Sequence, residues 1–197
     1  MTESSERPIG PYERRPVSVQ PWDPRAVDVA KAVIAIVLAR RPDLHLEHIG
    51  STAVPGLAGK GIVDLGTEAD PADIAEITEA LYELGFGPQP GPDPWPPTRP
   101  MVVGSYVLDG REYRIHLHVH PFGGDLGQDL RFRDALRADP ELVRGYAGVK
   151  HVIADEAGGT LDGVVYQDAK GGWIVATYDS LGIARPQQAR RPQESDR

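Results

Sequence analysis

Gly50-Ser51 ends one apolar stretch, and a carboxylate, Asp64, follows thirteen residues later within Ile62-Val63-Asp64-Leu65. That arrangement suits a triphosphate and its metal ion. Glycine lets the backbone approach phosphate oxygens, while the serine hydroxyl and nearby amides donate to them. A carboxylate on the adjoining strand is the hard oxygen ligand that Mg²⁺ prefers. Lys60, between the two, offers a point charge to phosphate. The same residues also describe a tight turn between two core strands, and spacing alone leaves the two readings level.

A second cluster is His116-Leu117-His118-Val119-His120, whose imidazoles project from one face of a strand at period 2. Imidazole binds transition metals, serves as a neutral base, or donates to phosphate when protonated. His116 and His118 are therefore candidate ligands beside Asp64, for Zn²⁺ or Mn²⁺ rather than Mg²⁺. The plainer reading is a row of hydrogen-bonded histidines at a sheet surface. His120, directly before Pro121, is expected in a loop. Glu68 shares a strand face with Asp64 but lies about 7 Å beyond it, out of reach unless the backbone bulges at Gly66. Arg131, Arg133, Lys150 and Lys170 are candidate anion ligands, arginine gripping phosphate with two parallel donors. The alternation of Arg131, Arg133 and Arg137 with Asp134 equally describes a solvated helix face. Tyr146 and Tyr166 are candidates to stack on a base, although Tyr146 has the helical spacing of a core residue.

The elements that must position these groups are marked by the chain itself. Asp23-Pro24, Asp70-Pro71 and Asp139-Pro140 each set an N-cap acceptor before a proline at the first helical position. The first predicts an amphipathic helix over residues 24–40. The second leads into Ile74, Ile77, Leu81 and Leu84 with Gly85 as the stop. The third leads into Leu142, Val143, Tyr146, Val149 and Ile153. A short helix is expected after Gly127 and a last one over Asp168–Leu181. Strands are predicted at 44–49, 62–67, 102–108 and 112–119, the last two joined by the hairpin signal Asp109-Gly110. Residues 88–100 hold seven prolines and one tryptophan. They predict an irregular surface loop, a connector or a lid. The fold class is then α/β (mixed α+β): a small mixed sheet flanked by helices, with a helical C-terminal part.

Composition narrows the function. The chain of 197 residues suits one domain, expected over 17–184 between polar tails at 1–16 and 185–197. A net charge of −8 argues against a nucleic-acid partner but leaves room for a nucleotide. The absence of cysteine removes disulfides and thiolate metal sites. No run of about 18 apolar residues predicts a membrane span, and Met1 to Arg15 lacks the apolar core of a secretory signal. Cytoplasm is the expected location.

The run from Glu47 through His48, Gly50-Ser51-Thr52 and Lys60 to Asp64-Leu65 resembles the signature of the GrpB family. Arg114-Ile115-His116-Leu117-His118-Val119, Leu130-Arg131-Phe132-Arg133-Asp134, Tyr146 with Lys150, and Tyr166 with Lys170 extend the resemblance over roughly residues 17–184. It implies a compact, nucleotidyltransferase-like core. In that superfamily the glycine-serine pair holds nucleotide phosphates, and two acids one residue apart on the next strand hold metals. Here the second acidic position is Gly66, a departure that leaves one carboxylate where phosphoryl transfer commonly uses two. His116 and His118 stand where a third catalytic carboxylate is often found. The resemblance places His48 at the site, a buried, hydrogen-bonded histidine being the alternative. It also includes domains joined to dephospho-coenzyme A kinase, which implies an accessory role.

Three functions follow as expectations. One is nucleotidyl transfer to a small acceptor, with Mg²⁺, Asp64, His118 and Glu68 catalytic and Gly50, Ser51, His48, Lys60, Arg131, Arg133, Lys150 and Lys170 binding substrate. A second is a non-catalytic module for a nucleotide or other phosphorylated small molecule. A third is a mononuclear metal enzyme built on Asp64 with His116 and His118.

Overall fold

Two of the three Asp-Pro steps cap a helix as the sequence predicts, while Asp70-Pro71 opens a separate turn and its helix starts three residues later, with Asp73 at the cap. In the computed structural model, which describes residues 7–16, 18–91, 95–156 and 163–184 (the side chains of 156 and 163–169 excepted), each aspartate takes a backbone N–H. Asp23 Oδ1 accepts from Arg25 at 3.1 Å at the head of α1 (Arg25–Arg40). Asp70 Oδ1 accepts from Ala72 at 2.9 Å, one turn ahead of α2 (Ile74–Leu84), which stops at Gly85 with a φ of 111°. Asp139 Oδ1 accepts from Glu141 at 2.8 Å where α4 (Pro140–Glu156) begins.

Five strands form one sheet: β1 (Leu46–Ile49), β2 (Val63–Ala69), β3 (Gly87–Pro88), β4 (Met101–Leu108) and β5 (Arg111–Pro121). Their order is β1-β2-β5-β4-β3, and only the β2–β5 pairing is parallel. Asp109 and Gly110 close the β4–β5 hairpin with φ of 49° and 73°, the left-handed pair that such a two-residue turn needs.

Alternation divides the sheet cleanly. Val63, Leu65, Ile115, Leu117 and Val119 pack with Val29, Val33 and Val37 of α1 and Ile77 and Leu81 of α2 in the main core. The opposite face carries Asp64, Gly66 and Glu68 on β2, in register with His116, His118 and His120 on β5. On that side α3 (Leu126–Ala138) packs against β1 and β2, α4 packs on α3, and α5 (Gly163–Ser180) on α4. A second apolar cluster joins them to the segment after Ser51: Val54 and Leu57 pack with Leu136 and Tyr146, and Phe132 and Trp173 close it. Tyr146 stacks on Trp173 with centroids 4.7 Å apart, so it is core, and the side chain of Tyr166 lies outside the described residues. The sheet's polar face is thus roofed by helices, and the site must lie between.

Four further expectations need correction. Pro88 is in β3 rather than loop, because at the sheet edge a proline needs no ladder donor. His120 is a strand residue, fully buried, since β5 runs on to Pro121. α5 begins at Gly163, ahead of Asp168. Val164-Val165 and Gly171-Gly172 lower its helix propensity, and packing of Trp173 and Ile174 overrides that. Finally, residues 7–16 are not a tail: Ile9 is 2% exposed within the main core, and Gly10 bridges Ser105 of β4. The expected tail segments 1–6 and 185–197 lie outside the described residues. Among the described residues no helix is long and apolar enough to cross a membrane.

Candidate functional site

The glycine-serine turn and the strand carboxylate meet. Gly50, with a φ of 71°, leads into a 3-10 turn over Ser51–Ala53, and a Cβ at Gly50 would fall 2.4 Å from Asp64 Oδ2. Any side chain there would displace the carboxylate, so glycine is required by both conformation and space. Ser51 turns back toward the far end of its own loop, where a Cβ at Gly59 would lie 2.4 Å from Ser51 Oγ and 3.7 Å from Lys150 Nζ. Three basic side chains fasten that loop by its carbonyls. Arg137 donates to Ala53 O at 2.9 Å, Lys150 to Ala58 O at 3.0 Å, and Arg114 to Lys60 O at 3.1 Å.

Parallel register puts two imidazoles against the same acid. His116 Nδ1 and His118 Nε2 lie 3.4 and 3.9 Å from Asp64 Oδ1, and all three side chains are at most a quarter exposed, Asp64 being 24% exposed. One donor atom from each lies within 4.8 Å of the other two, and no other group of three such ligands occurs among the described residues. Burial pushes Asp64 upward, yet the two imidazoles more than offset it and hold the carboxyl far below the usual carboxylate range. Burial pushes His116 down, with Asp64 opposing, so a neutral ring faces an ionised acid. One carboxylate oxygen and two imidazole nitrogens are a donor set for Mn²⁺ or Zn²⁺ more than for Mg²⁺.

Three lysines also act on Asp64. Lys60, Lys150 and Lys170 are each pushed down by burial, and each senses Asp64. Lys150 is 2% exposed, with Nζ 4.1 Å from the Tyr146 ring centroid, and falls to about 6; Lys170 falls to about 8. Burial acts first on Lys150, then the neighbouring Lys170. A bound anion would relieve both effects at once.

Other expected site residues lie elsewhere. Glu68 has no route to Asp64, because β2 pairs one-for-one with β5 and no bulge occurs at Gly66. Leu126 of α3 fills the space above Gly66, where a Cβ would fall 2.5 Å from its Cδ1. His48 pairs across from Leu65, on the core side of the sheet, with Nε2 3.0 Å from Thr52 Oγ1. Thr52 gives its own proton to Ile62 O, so His48 is the donor and a strut for the turn. Burial pushes it down to about 4. Arg131 is exposed, whereas Arg133 donates to Glu47 at 2.8 Å and to His48 O at 2.9 Å. Two residues apart on a helix do not share a face, so the two arginines cannot converge.

Arg133 clamps α3 to β1, which gives a checkable outcome. Arg133→Ala should lower unfolding free energy in urea by about 2 kcal/mol, through lost charged hydrogen bonds, and leave anion affinity unchanged. A large loss of affinity in a stable variant would return Arg133 to the site.

Four groups were missed in the sequence. Arg114 falls on the same period-2 face as His116 and His118, a signal the alternation already carried. Asp129 on α3 is raised to about 6 by burial, opposed by His118 and Arg99, and reinforced by Asp125 and Asp64. An acid in a first helical turn normally looks like a dipole partner, which hides such a role. Trp95 from the proline-rich segment meets His118 edge-on at 5.3 Å, while Arg99 lies over Trp95 and pairs with Asp125 at 2.8 Å. That segment therefore covers the histidines rather than merely connecting strands. Tyr12 meets His116 from a hundred and four residues away, with no local signal at all.

The architecture is that of an α/β protein whose polar sheet face is enclosed by a helical half. The chain belongs to the GrpB family, described as GrpB protein, which matches residues 16–180. A UPF0157 protein of Streptomyces coelicolor is 32% identical over 145 residues, covering 73% of this chain and 72% of that one. The dephospho-CoA kinase of Mycobacterium bovis is 27% identical over 189 residues, 84% of this chain but 46% of that protein. In three dimensions, the crystal structure of GrpB from Enterococcus faecalis superposes with a TM-score of 0.64 at 20% identity, covering 83% of this chain and 96% of that one. That likeness is one of fold.

Proposed function

We propose that this chain binds a nucleotide or a similar polyphosphate with one divalent ion, and transfers a nucleotidyl group to a small acceptor. The observation that carries the reading is the direct contact of the Gly50-Ser51 turn with Asp64, between two imidazoles and three lysines. Asp64, His116 and His118 would hold Mn²⁺ or Zn²⁺, which supplies charge neutralisation at a phosphoryl oxygen. Ser51, Lys60, Lys150 and Lys170 would hold the phosphates. Transfer joins an acceptor oxygen to the α-phosphorus and releases pyrophosphate. Leu126 over Gly66 favours a single ion over the two-ion arrangement. A net charge of −8 favours a small phosphorylated molecule over nucleic acid.

Calorimetric titration of ATP, GTP, CTP and UTP, with and without Mn²⁺, tests this directly. Binding that requires the ion supports it, and product release with a panel of small hydroxyl acceptors would extend it to catalysis. Failure of all four nucleotides to bind at millimolar concentration would overturn it. Equal affinity without the ion would leave a phosphate-binding module.

A proton should accompany the ligand. Lys150, pushed down to about 6, is mostly neutral at pH 7.5, and phosphate beside it restores the charged form. Binding should then take up as much as about one proton between pH 7 and 8, with Lys170 adding a fraction. Below pH 6 Lys150 is already charged and its uptake should fade. The check is the binding enthalpy in buffers of different ionisation enthalpy; identical enthalpies at pH 7.5 would place Lys150 outside the ligand's reach.

A further inference from the structure

We infer that Tyr12 is a positioning residue for a metal-binding His116, so that the segment ahead of the family-matched residues is part of the site; this rests on the metal reading above. Tyr12 Oη lies 3.1 Å from His116 Nε2, and the rings meet at 5.4 Å. On the other side of the same imidazole, Nδ1 points to Asp64. A histidine binds a metal through one nitrogen only when the other carries the proton and has somewhere to place it. Tyr12 is that place. With Nε2–H donated to the tyrosine oxygen, Nδ1 presents its lone pair toward Asp64 and His118. With the proton on Nδ1 instead, the tyrosine hydroxyl donates to Nε2. A hydroxyl both donates and accepts, so it serves both tautomers without any net proton change. Arg114, which donates to Lys60 O, also lies close enough to act electrostatically on the same hydroxyl.

The fold invests in placing Tyr12. Ile9 donates to Leu84 O at 3.1 Å, and Gly10 exchanges two 2.9 Å hydrogen bonds with Ser105. Gly85 and Gly104 lack side chains where this segment lies: a Cβ would fall 2.0 Å from Ile9 O at one, and 2.4 Å from Ile9 Cγ2 at the other. Beyond Tyr12, Arg15 pairs with Glu112 of β5. Anchored on both sides, the tyrosine is delivered to one histidine and away from the main core.

The test uses the full chain with the metal alone. Zn²⁺ affinity is measured by calorimetry, and the Co²⁺-loaded protein gives a ligand-field spectrum that reports donor geometry. Tyr12→Phe should weaken Zn²⁺ binding by about 10-fold or more and shift the Co²⁺ bands, with the thermal midpoint kept because Ile9 still anchors the segment. Ile9→Ala, remote from every donor, should loosen the anchor and weaken Zn²⁺ as well. Wild-type affinity and wild-type bands in Tyr12→Phe would overturn the inference while leaving the metal site standing. Wild-type protein that takes up neither ion would overturn the metal reading itself, and this inference with it.

Discussion

Asp64→Asn should abolish metal-dependent nucleotide binding while leaving the protein folded. Among the described residues Asp64 is the carboxylate grouped with His116 and His118 as a ligand set, and they hold it ionised against the cost of burial. A carboxamide keeps the volume and one oxygen but not the charge. Outer partners of metal ligands are commonly worth 10- to 100-fold in affinity, so loss of a direct donor should cost at least about 100-fold. The fold should survive, because asparagine occupies the space that Gly50 leaves and removes no apolar contact. Calorimetry with Mn²⁺ and nucleotide, together with near-ultraviolet circular dichroism, measures both halves. A folded variant with wild-type, ion-dependent affinity would sink the assignment of Asp64 as ligand.

Gly66→Asp, which sets a second carboxylate two residues along the strand from Asp64, should destabilise the protein rather than improve its site. A Cβ there would sit 2.5 Å from Leu126 Cδ1 and 3.2 Å from Ile49 Cδ1. Overpacking of this kind costs about 1–3 kcal/mol, and a carboxylate beneath an apolar side chain adds a desolvation cost. For a chain of this size that is a fall of several degrees in thermal midpoint. Leu126→Ala alone should also destabilise, by removing a buried side chain. The double variant should be more stable than the sum of the singles predicts, since each change relieves the other. It should also bind a second divalent ion, visible as a changed stoichiometry. Strict additivity, with Gly66→Asp alone as stable as wild type, would show that Leu126 does not fill the space above Gly66.

Much of the fold was written locally. The Asp23-Pro24 and Asp139-Pro140 caps, the Gly85 stop and the Asp109-Gly110 hairpin are local chemistry, and each acts in the structure as its residues predict, whereas Asp70-Pro71 makes a turn ahead of its helix. Alternation along β5 correctly grouped His116 with His118, and their register with β2 brings both to Asp64. What failed were inferences that needed to know what lies across the sheet. Arg133 and His48 carry the right chemistry for a phosphate, but Glu47 and Thr52 engage them first. Residues 7–16 looked like a tail because their composition is polar, yet one isoleucine in a slot between two glycines is enough to anchor them.

The sequence by itself determined the elements, the glycine-serine turn, the single carboxylate and the histidine row, because each depends on neighbours within a few residues. Only the tertiary structure decided which side chains meet. Leu126 over Gly66, Trp95 over His118, Tyr12 on His116 and the lysines sharing Asp64 all join segments far apart in the chain. Such contacts are set by how the helices pack against the sheet's second face, and no local periodicity records which residue of one element will face which residue of another.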